Sequence, residues 1–401
     1  MSASKSHAMH IVVVGGLDPG SEDTWSGTPK AMIAGLRAAG HQVSTVGPLP
    51  SIDTGLVQLK AWWHGLDGKY YPAIRDLAAL QRRKAPLAEA LRALEPYDAV
   101  IACHAADAAI VPAAAPLIFV HDATWRLLLD FYPRYERRRL AQSIIQAGEA
   151  LDRAALENSD VVIYSSRWAA DAAQRDYGAP RAKLAVHPFG ANLRRLPTST
   201  ALRRALAERG QNPCRLIFVG VDWRRKGGDA AIAVAQELND RGVPCELDVV
   251  GGEPPEHRPD WVRAWGFLRR SSKQETERFA SLLSRADFMI LPTRADCTPI
   301  VLSEAAAYGL PTATTSVGGI PEIAGDAGWA NAFPPGAPAS AIADWIEGAW
   351  RDRRLYARMA SLARRDYDRR LNWAAFTGAL VEAIQRTQGA ELKALGVAAG
   401  E

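Results

Sequence analysis

Short apolar runs recur along the first half of the chain, and polar or glycine-rich loops and stretches with helical periodicity separate them. The runs have the length and composition of buried strands. We predict strands at residues 10–14, 42–46, 99–102, 117–120, 161–164 and 184–187, with helices at 30–39 and about 135–157. Strands that alternate with helices predict an α/β fold with a mostly parallel, doubly wound sheet.

The second half repeats this pattern after a polar stretch at residues 192–213. We predict strands at 216–219, 246–250 and 288–291, with a helix at 229–241. An alanine-rich helix opens at Pro299 and ends at Gly309, and a second short strand follows it. The sequence therefore predicts two Rossmann-like, doubly wound domains that are joined near residue 200.

Composition narrows the class of protein. A length of 401 residues suffices for two domains with substantial cores, and 48% hydrophobic residues are typical of a globular protein. The net charge of +4 suits a polyphosphate ligand or an anionic membrane surface, but it is too small to indicate nucleic acid binding. No apolar run approaches the roughly 18 residues of a membrane span, and the run at 11–14 is too short for a signal peptide. We expect a cytoplasmic protein.

The four cysteines show no CxxC pairing, and no histidine lies near one of them at a metal-ligand spacing. We therefore expect neither a zinc site nor a disulfide framework. Both expectations agree with a reducing cytoplasm.

Two acids flank the predicted helix that opens at Pro299. Asp296 lies in the loop before the helix, and Glu304 follows eight residues later, within it. A helix N-terminus at the carboxyl end of a strand attracts phosphate, whereas carboxylates accept hydrogen bonds from hydroxyls. A polyol that carries phosphate is the implied ligand, and a nucleotide sugar fits. The alternative is an ordinary strand–helix unit with a solvated acid at each end.

A second candidate site lies in the segment LIFVGVDWRRKGGDAAIAVA, which begins at residue 216. A buried strand leads into Arg224, Arg225 and Lys226, and a helix starts at the following Gly-Gly pair. Cations beside free helix N–H groups can hold a diphosphate and stabilise it as a leaving group without a metal. The alternative is an exposed basic turn.

These two segments resemble the signature regions of retaining family 4 glycosyltransferases. The family has two acids eight residues apart on a strand–loop–helix, followed by a Gly-Gly-x-Pro-Glu turn, and a bacterial branch of it carries VDWxRKGG. The resemblance implies a GT-B architecture, in which two Rossmann-like domains face each other across a cleft. Residues 1–200 would form the acceptor-side domain and 210–370 the donor-binding domain, and a helix at about 373–390 would pack back on the first domain.

The resemblance also implies residue roles. Asp296 would meet the donor sugar, Glu304 the ribose, and Arg225 and Lys226 the diphosphate. The implied donor-binding residues are Gly27, Thr28, Arg225, Lys226, Asp296, Thr298, Ile300, Val301 and Glu304. The implied catalytic residues are His121, Asp122, Lys226 and Asp296, and further residues that would line the cleft are Gly190, Asn192 and Arg224. The chain departs from the family at Asp296, usually Glu, at Thr298-Pro299, usually an aromatic-Gly pair, and at Val221, where the widespread form has Arg.

Three sites in the first half can be interpreted in more than one way. Gly27 follows the first strand and would let backbone approach the donor, although every Rossmann-like unit has such a loop. His121 and Asp122 end a strand, where a base could deprotonate an acceptor or a buried pair could order the loop. We expect His104, after an earlier strand, to be structural. Gly190 and Asn192 either contact the ligand or form a structural turn.

Residues 58–84 combine Trp62, Trp63, Tyr70 and Tyr71 with five basic residues. The basic residues are Lys60, Lys69, Arg82, Arg83 and Lys84. This segment could grip an acceptor or dock on an anionic membrane, or its aromatics could pack in an ordinary helix–loop. Peripheral association with the inner membrane face therefore stays open.

The function that we predict is metal-independent, retaining transfer of a sugar from a nucleoside diphosphate to a hydroxyl acceptor, with no cofactor. The acceptor could be a glycan, a lipid-linked molecule or a small molecule. Two alternatives are a GT-B nucleotide-sugar epimerase and a non-catalytic nucleotide-sugar binding protein. A nicotinamide-dependent oxidoreductase is disfavoured, because neither half shows GxGxxG after its first strand.

Overall fold

The structure, a computed structural model, describes residues 8–112, 114–211 and 213–398, with side chains up to residue 389. These residues form two units. Unit 1 contains the chain up to His187 and the chain from Phe376 onward, and unit 2 is Pro188–Ala375. The chain thus passes from one unit to the other twice.

Unit 1 contains a six-stranded parallel sheet with the order β2-β1-β3-β4-β5-β6. Its strands are β1 (His10–Val14), β2 (Gln42–Val46), β3 (Ala99–Ala102), β4 (Leu117–His121), β5 (Val161–Tyr164) and β6 (Leu184–Val186). The inner strands β1, β3 and β4 are buried on both faces, which explains their continuous apolar runs. The strand order reverses between β1 and β3.

Helices connect the strands of unit 1. They are α1 (Thr28–Ala38), α2 (Gly55–Leu66), α3 (Leu77–Leu80), α4 (Lys84–Arg92), α5 (Ala105–Ala108), α6 (Trp125–Leu128), α7 (Gln142–Asn158) and α8 (Arg167–Tyr177). The helix predicted at about 135–157 begins only at Gln142. Short 3₁₀ turns at Pro133–Tyr135 and Arg137–Arg139 precede it, and the extended backbone of Leu140 and Ala141 separates them from the helix.

Unit 2 contains a second six-stranded parallel sheet, with the order β12-β11-β10-β7-β8-β9. Its strands are β7 (Cys214–Gly220), β8 (Cys245–Gly251), β9 (Val262–Ala264), β10 (Phe288–Leu291), β11 (Thr312–Thr315) and β12 (Ala330–Phe333). All four residues of β10 are fully buried, in keeping with its central place. The predicted doubly wound α/β fold is confirmed.

The helices of unit 2 cover its sheet. They are α9 (Ser199–Glu208), α10 (Trp223–Lys226), α11 (Gly228–Asp240), α12 (Lys273–Arg285), α13 (Ile300–Ala307), α14 (Ile320–Ala324), α15 (Ala339–Arg351) and α16 (Arg353–Arg369). Helix α9 lies within the polar stretch 192–213, where Thr198 caps it by accepting a hydrogen bond from the Ala201 N–H at 3.1 Å. The final helix, α17 (Trp373–Ala398), lies mostly in unit 1, where Gln388 donates to the Asp98 carbonyl.

Candidate functional site

Two loops of unit 2 start at the point where the strand order of its sheet reverses. From β7 the chain moves through β8 and β9 to one edge, and then through β10, β11 and β12 to the other edge. Because β7 and β10 are neighbours, the loops after Gly220 and after Leu291 begin side by side. In open α/β sheets, ligands bind at such a switch point, outside the carboxyl ends of the strands.

The loop after β7 turns sharply through the short helix α10. Asp222 caps α10 by accepting a hydrogen bond from the Arg225 backbone N–H at 3.1 Å. Gly227 ends the turn with a φ of 81°, and an added Cβ would lie 2.0 Å from the Pro292 carbonyl oxygen. Only glycine allows this approach, which brings Arg225 and Lys226 next to the loop after β10.

Lys226, Arg225 and Asp296 form a cluster of charges. The Lys226 ammonium is ion-paired with Asp296 Oδ2, and Arg225 Nη1 lies 3.8 Å from the same oxygen. At most 20% of each side chain is exposed, so water screens these charges only in part. An added Cβ at Gly220 would lie 2.7 Å from Lys226 Cγ, so glycine lets the lysine stem lie against the end of β7. Phosphate oxygens and sugar hydroxyls could both be bound here.

Hydrogen bonds tie the two loops to each other. The Arg225 carbonyl accepts from the Arg294 backbone N–H at 2.8 Å and from Thr293 Oγ1 at 3.0 Å. Arg225 Nη1 donates to the Ala295 carbonyl at 2.8 Å. The guanidinium and Asp296 are therefore held in place before any ligand arrives, which is the condition for electrostatic preorganisation.

Glu304 lies on α13 and is fully buried. Arg270 Nη2 is 2.7 Å from Glu304 Oε1, and this ion pair compensates for the buried charge. Neither carboxylate oxygen, however, accepts a hydrogen bond within the part of the chain that the structure describes. Because buried acceptors are normally satisfied, Glu304 has capacity for hydrogen bonds from ligand hydroxyls.

Arg270, in the loop after β9, is a candidate site residue that the sequence did not reveal. Besides its contact with Glu304, it donates through Nη1 to the Asn192 carbonyl. Asn192 Oδ1 accepts a hydrogen bond from Trp373 Nε1 at 2.9 Å. At Gly190, an added Cβ would lie 2.4 Å from the Trp373 backbone nitrogen. Close packing therefore accounts for the glycine at position 190, and Asn192 links this turn to Arg270.

The other residues assigned to donor binding in unit 2 lie around the start of α13. Thr298 is buried in the preceding loop, and Ile300 and Val301 are half-buried as the first two residues of the helix. Pro299 is the residue before the helix, which begins one position later than predicted. Arg224 lies exposed on α10, so Arg225 is the arginine that the structure brings to Lys226 and Asp296.

In unit 1, the loop after β1 contains three consecutive residues with left-handed backbone. Trp25, Ser26 and Gly27 have φ values of 45°, 56° and 78°. Such a conformation costs free energy for Trp25 and Ser26, and strain of this kind clusters at functional sites. Thr28 follows as the buried first residue of α1. The loop is at the carboxyl end of β1, where the strand order of unit 1 reverses.

His121 and Asp122 lie beside this loop. The Trp25 ring approaches the His121 ring with 5.4 Å between centroids. His121 Nδ1 accepts a hydrogen bond from the Ala123 backbone N–H at 3.2 Å and lies 3.3 Å from Asp122 Oδ1. The Ala123 N–H favours a proton on Nε2, whereas the Asp122 carboxylate favours a proton on Nδ1, so the two contacts oppose each other. The pair thus offers one hydrogen-bond donor and one carboxylate at the end of β4.

His104 lies close to the same pair, with 6.0 Å between its ring centroid and that of His121. Burial is the main cause that lowers the pKa of His104 to about 4, and the neighbouring His121 and Arg75 lower it further. His104 is therefore neutral at physiological pH. Its ring also contacts Trp25, with centroids 6.0 Å apart.

The neutral state of His104 is expected to appear in the pH dependence of unfolding. Folding lowers the pKa of His104 from an ordinary 6.5 to about 4. Between about pH 4 and pH 6.5, the unfolded chain therefore binds a proton at His104 more readily than the folded chain does. The contribution to stability is present above about pH 6.5 and is lost as the pH falls towards 4. In urea titrations, His104→Gln should flatten this part of the profile. Parallel profiles for wild type and variant would contradict the assignment.

Arg83 is buried in unit 1 and does not fit the basic set predicted for residues 58–84. Its Nη1 lies 3.7 Å from Asp107 Oδ1, and its Nε donates to the Pro50 carbonyl at 2.9 Å. Asp107 Oδ2 accepts from the Gly16 backbone N–H at 2.9 Å, next to the loop after β1. Arg83 is thus committed to an internal ion pair and cannot face an acceptor or a membrane.

The positive charge of the unit 2 site comes from Arg225, Lys226 and Arg270. Within residues 8–112, 114–211 and 213–389, no group of three or more His, Cys, Asp or Glu side chains is arranged to hold a metal ion. None of the helices in these ranges is both long enough and apolar enough to cross a membrane.

Two family models match the chain. The model for glycosyl transferases group 1 matches residues 213–352, which lie in unit 2, and the model for glycosyltransferase family 4 matches residues 30–195, most of which lie in unit 1. The chain is also 29% identical over 170 residues to the putative colanic acid biosynthesis glycosyltransferase WcaL of Escherichia coli K12. That match covers 38% of this chain and 39% of the length of WcaL. Both units therefore resemble glycosyltransferase domains.

Solved structures of the same fold cover almost the whole chain. Sucrose-phosphate synthase from Thermosynechococcus elongatus matches with a TM-score of 0.66 and 18% identity, over 97% of this chain and 100% of that one. Anabaena HepE, solved in complex with UDP and glucose, matches with a TM-score of 0.60 and 16% identity, over 94% and 99%. At these identities the likeness shows the fold, which is the two-domain GT-B fold.

Proposed function

We propose that this protein is a metal-independent, retaining glycosyltransferase, which moves a sugar from a nucleoside diphosphate to a hydroxyl acceptor. The observation that carries the proposal is the site of unit 2. There, two cations and a carboxylate stand beside a helix that carries a second, fully buried carboxylate with unused acceptor capacity. Cations bind a diphosphate, and carboxylates accept hydrogen bonds from the hydroxyls of a sugar and a ribose.

The donor is assigned to the site as follows. Arg225 and Lys226 bind the diphosphate through charge-assisted hydrogen bonds. Glu304 accepts hydrogen bonds from the ribose hydroxyls, and Asp296 accepts them from the sugar. The ion pair between Lys226 and Asp296 sets the distance between the diphosphate and the sugar, because one ammonium contacts both the carboxylate and the phosphate.

The chemical step breaks the bond between the anomeric carbon and the diphosphate oxygen. The electron pair leaves with the diphosphate, and Arg225 and Lys226 stabilise its growing negative charge more strongly in the transition state than in the ground state. The acceptor oxygen forms its bond to the same carbon on the same face, so the anomeric configuration is retained. In this front-face reaction, the acceptor proton passes to the departing diphosphate or to a base.

On the acceptor side we assign His121 and Asp122 of unit 1. The Asp122 carboxylate can hold the acceptor hydroxyl and take its proton. His121 donates a hydrogen bond from its ring to a sugar oxygen. The loop at Gly27 is also assigned to ligand binding, because glycine lets backbone approach a ligand closely.

The names of similar proteins support the donor class. WcaL is named a putative glycosyltransferase of colanic acid biosynthesis, and HepE was solved with UDP and glucose. The chain spans about two fifths of the length of WcaL, so the substrates are inferred from the site. We propose a nucleoside diphosphate sugar as the donor, and a hydroxyl of a glycan, a lipid-linked molecule or a small molecule as the acceptor.

Nucleotide release is the test of this function. A panel of UDP-, GDP- and ADP-sugars is first screened by thermal shift, and donors that stabilise the protein are then assayed with a broad acceptor panel. Release of the nucleoside diphosphate that depends on an acceptor is expected. Conversion of the donor without an acceptor would indicate an epimerase. Binding without any turnover would indicate a nucleotide-sugar binding protein.

Transfer is also expected to survive an excess of EDTA. Arg225 and Lys226 supply the positive charge at the leaving group, so a divalent cation is not needed for that role. The rate should be unchanged within error when chelator is added to the release assay. Loss of activity with EDTA, restored by magnesium or manganese, would overturn the metal-independent mechanism.

A further inference from the structure

Helix α2 of unit 1 presents large apolar side chains to solvent. Of its 12 residues, only Val57 is buried. The exposed apolar residues are Leu56, Leu59, Trp62, Trp63 and Leu66, with between 58% and 65% of each residue accessible. A surface of this kind is costly in water, and contiguous apolar patches mark interaction sites.

The five residues lie on one face of α2. At about 100° per residue, they fall within a sector of about 120°. Lys60, Val57 and His64 lie on the other side, and their contacts attach the helix to unit 1. Val57 packs against Ala79, the Lys60 ammonium is 2.7 Å from Asp76 Oδ2, and the His64 ring stacks on a neighbouring tyrosine. The helix is therefore amphipathic with its strongly apolar face turned outward.

A basic turn adjoins the carboxyl end of α2. The backbone N–H of Tyr70 donates to the Arg139 carbonyl at 2.5 Å, and Lys69 Nζ donates to the Arg138 carbonyl at 2.5 Å. The cations of this region are Lys69, Arg134, Arg137, Arg138 and Arg139. They outnumber the acids Asp67, Asp130 and Glu136, of which Asp130 is ion-paired with Arg137 and Glu136 with Arg138. Tyr70 is 41% exposed beside them. An exposed apolar face thus lies next to a region of net positive charge.

We propose that α2 docks unit 1 on the surface of an anionic lipid bilayer. The helix lies in the plane of the interface, with Leu56, Leu59, Trp62, Trp63 and Leu66 at the level of the acyl chains and headgroups. The basic turn contacts anionic headgroups. Tryptophan and leucine on one face, with cations at its edge, are the side chains that interfacial helices use.

Charge favours a bilayer over a second copy of this chain. A symmetric dimer that paired the two α2 faces would also bring two regions of net positive charge together. These regions would repel each other, because an interface partly excludes the water that screens charge. An anionic surface instead attracts the nearby cations. The proposal concerns unit 1 alone and does not depend on the assigned sugar transfer.

Vesicle cosedimentation of the full chain tests this proposal. Wild type is expected to bind vesicles of phosphatidylcholine mixed with phosphatidylglycerol, to bind pure phosphatidylcholine much less, and to dissociate as salt is raised. Trp62→Gln combined with Trp63→Gln should lower the partition coefficient at least tenfold. Arg137→Gln combined with Arg138→Gln should lower it roughly fivefold to thirtyfold at low salt.

Phe267→Gln is the matched control, because Phe267 is 63% exposed in unit 2. It should bind vesicles as wild type does. Circular dichroism confirms that each variant is folded. Equal binding by wild type and the double tryptophan variant would overturn the proposal, as would binding that is independent of anionic lipid. Sedimentation equilibrium tests the alternative of a dimer. If wild type is a dimer and the double tryptophan variant is a monomer, the apolar face of α2 binds a second copy of the chain instead.

Discussion

Lys226→Ala is expected to lower the rate of sugar transfer about a hundredfold or more while the fold persists. The lysine is assigned to the diphosphate, whose negative charge grows as the bond to the sugar breaks, and loss of one such donor typically costs this much. Its side chain is only 14% exposed, so water cannot easily take its place. Single-turnover rates at saturating donor and acceptor measure the effect on the chemical step.

Lys273→Ala serves as the control for charge, because this lysine of α12 is 85% exposed. It should transfer sugar at the wild-type rate. Removing Lys226 also leaves Asp296 with the more distant Arg225, so a small loss of thermal stability is expected and should be recorded for each variant. Near-normal turnover by Lys226→Ala would show that Lys226 does not stabilise the departing diphosphate.

Substitutions of Glu304 and Asp296 are expected to affect nucleotide binding and sugar transfer differently. Glu304→Gln should weaken the affinity for the free nucleoside diphosphate about tenfold or more, because the amide loses charge-assisted hydrogen bonds to the ribose. Asp296→Asn should cut transfer by a similar or larger factor, but nucleoside diphosphate affinity should not weaken. Removing its charge frees Lys226 and Arg225 for the phosphates. Calorimetric titration with UDP, GDP and ADP measures the affinities.

Asp248→Asn is the matched control for Glu304→Gln. Asp248 is also a buried acid of unit 2, and Arg285 Nη2 lies 2.7 Å from it, as Arg270 does from Glu304. Both variants should lose stability because an arginine is left without its charged partner. Only Glu304→Gln should lose nucleotide affinity. If the two variants bind alike, the ribose assignment is wrong, and if Asp296→Asn transfers normally, the sugar assignment is wrong.

The strands were the part of the fold that the sequence predicted best. Strands β1, β2, β3, β5 and β10 have the predicted bounds. Four of them are apolar and buried along almost their whole length, whereas β2, at the edge of its sheet, is apolar only at Val43 and Val46. Helices were predicted less well. The helix expected at about 135–157 begins at Gln142, since local 3₁₀ turns replace its first residues, and α9 formed in a stretch that is too polar to suggest a packed helix.

In the candidate site, the sequence revealed residues but not their contacts. Asp296 and Lys226 are ion-paired across 70 positions, and this pairing depends on β7 and β10 being neighbours. Arg270 was missed altogether, because Arg269 beside it offers the same local chemistry and only the fold brings Arg270 to Glu304. The outward apolar face of α2 was equally hidden, since periodicity shows that a helix is amphipathic without showing which side packs.

The hydrogen bonds between the loop after β7 and the loop after β10 also limit which insertions and deletions the site can tolerate. Arg225 binds three consecutive residues of the facing loop through its carbonyl and its guanidinium, so an insertion or deletion in one loop would break contacts in both. Gene duplicates would therefore inherit this pair as a single evolutionary module.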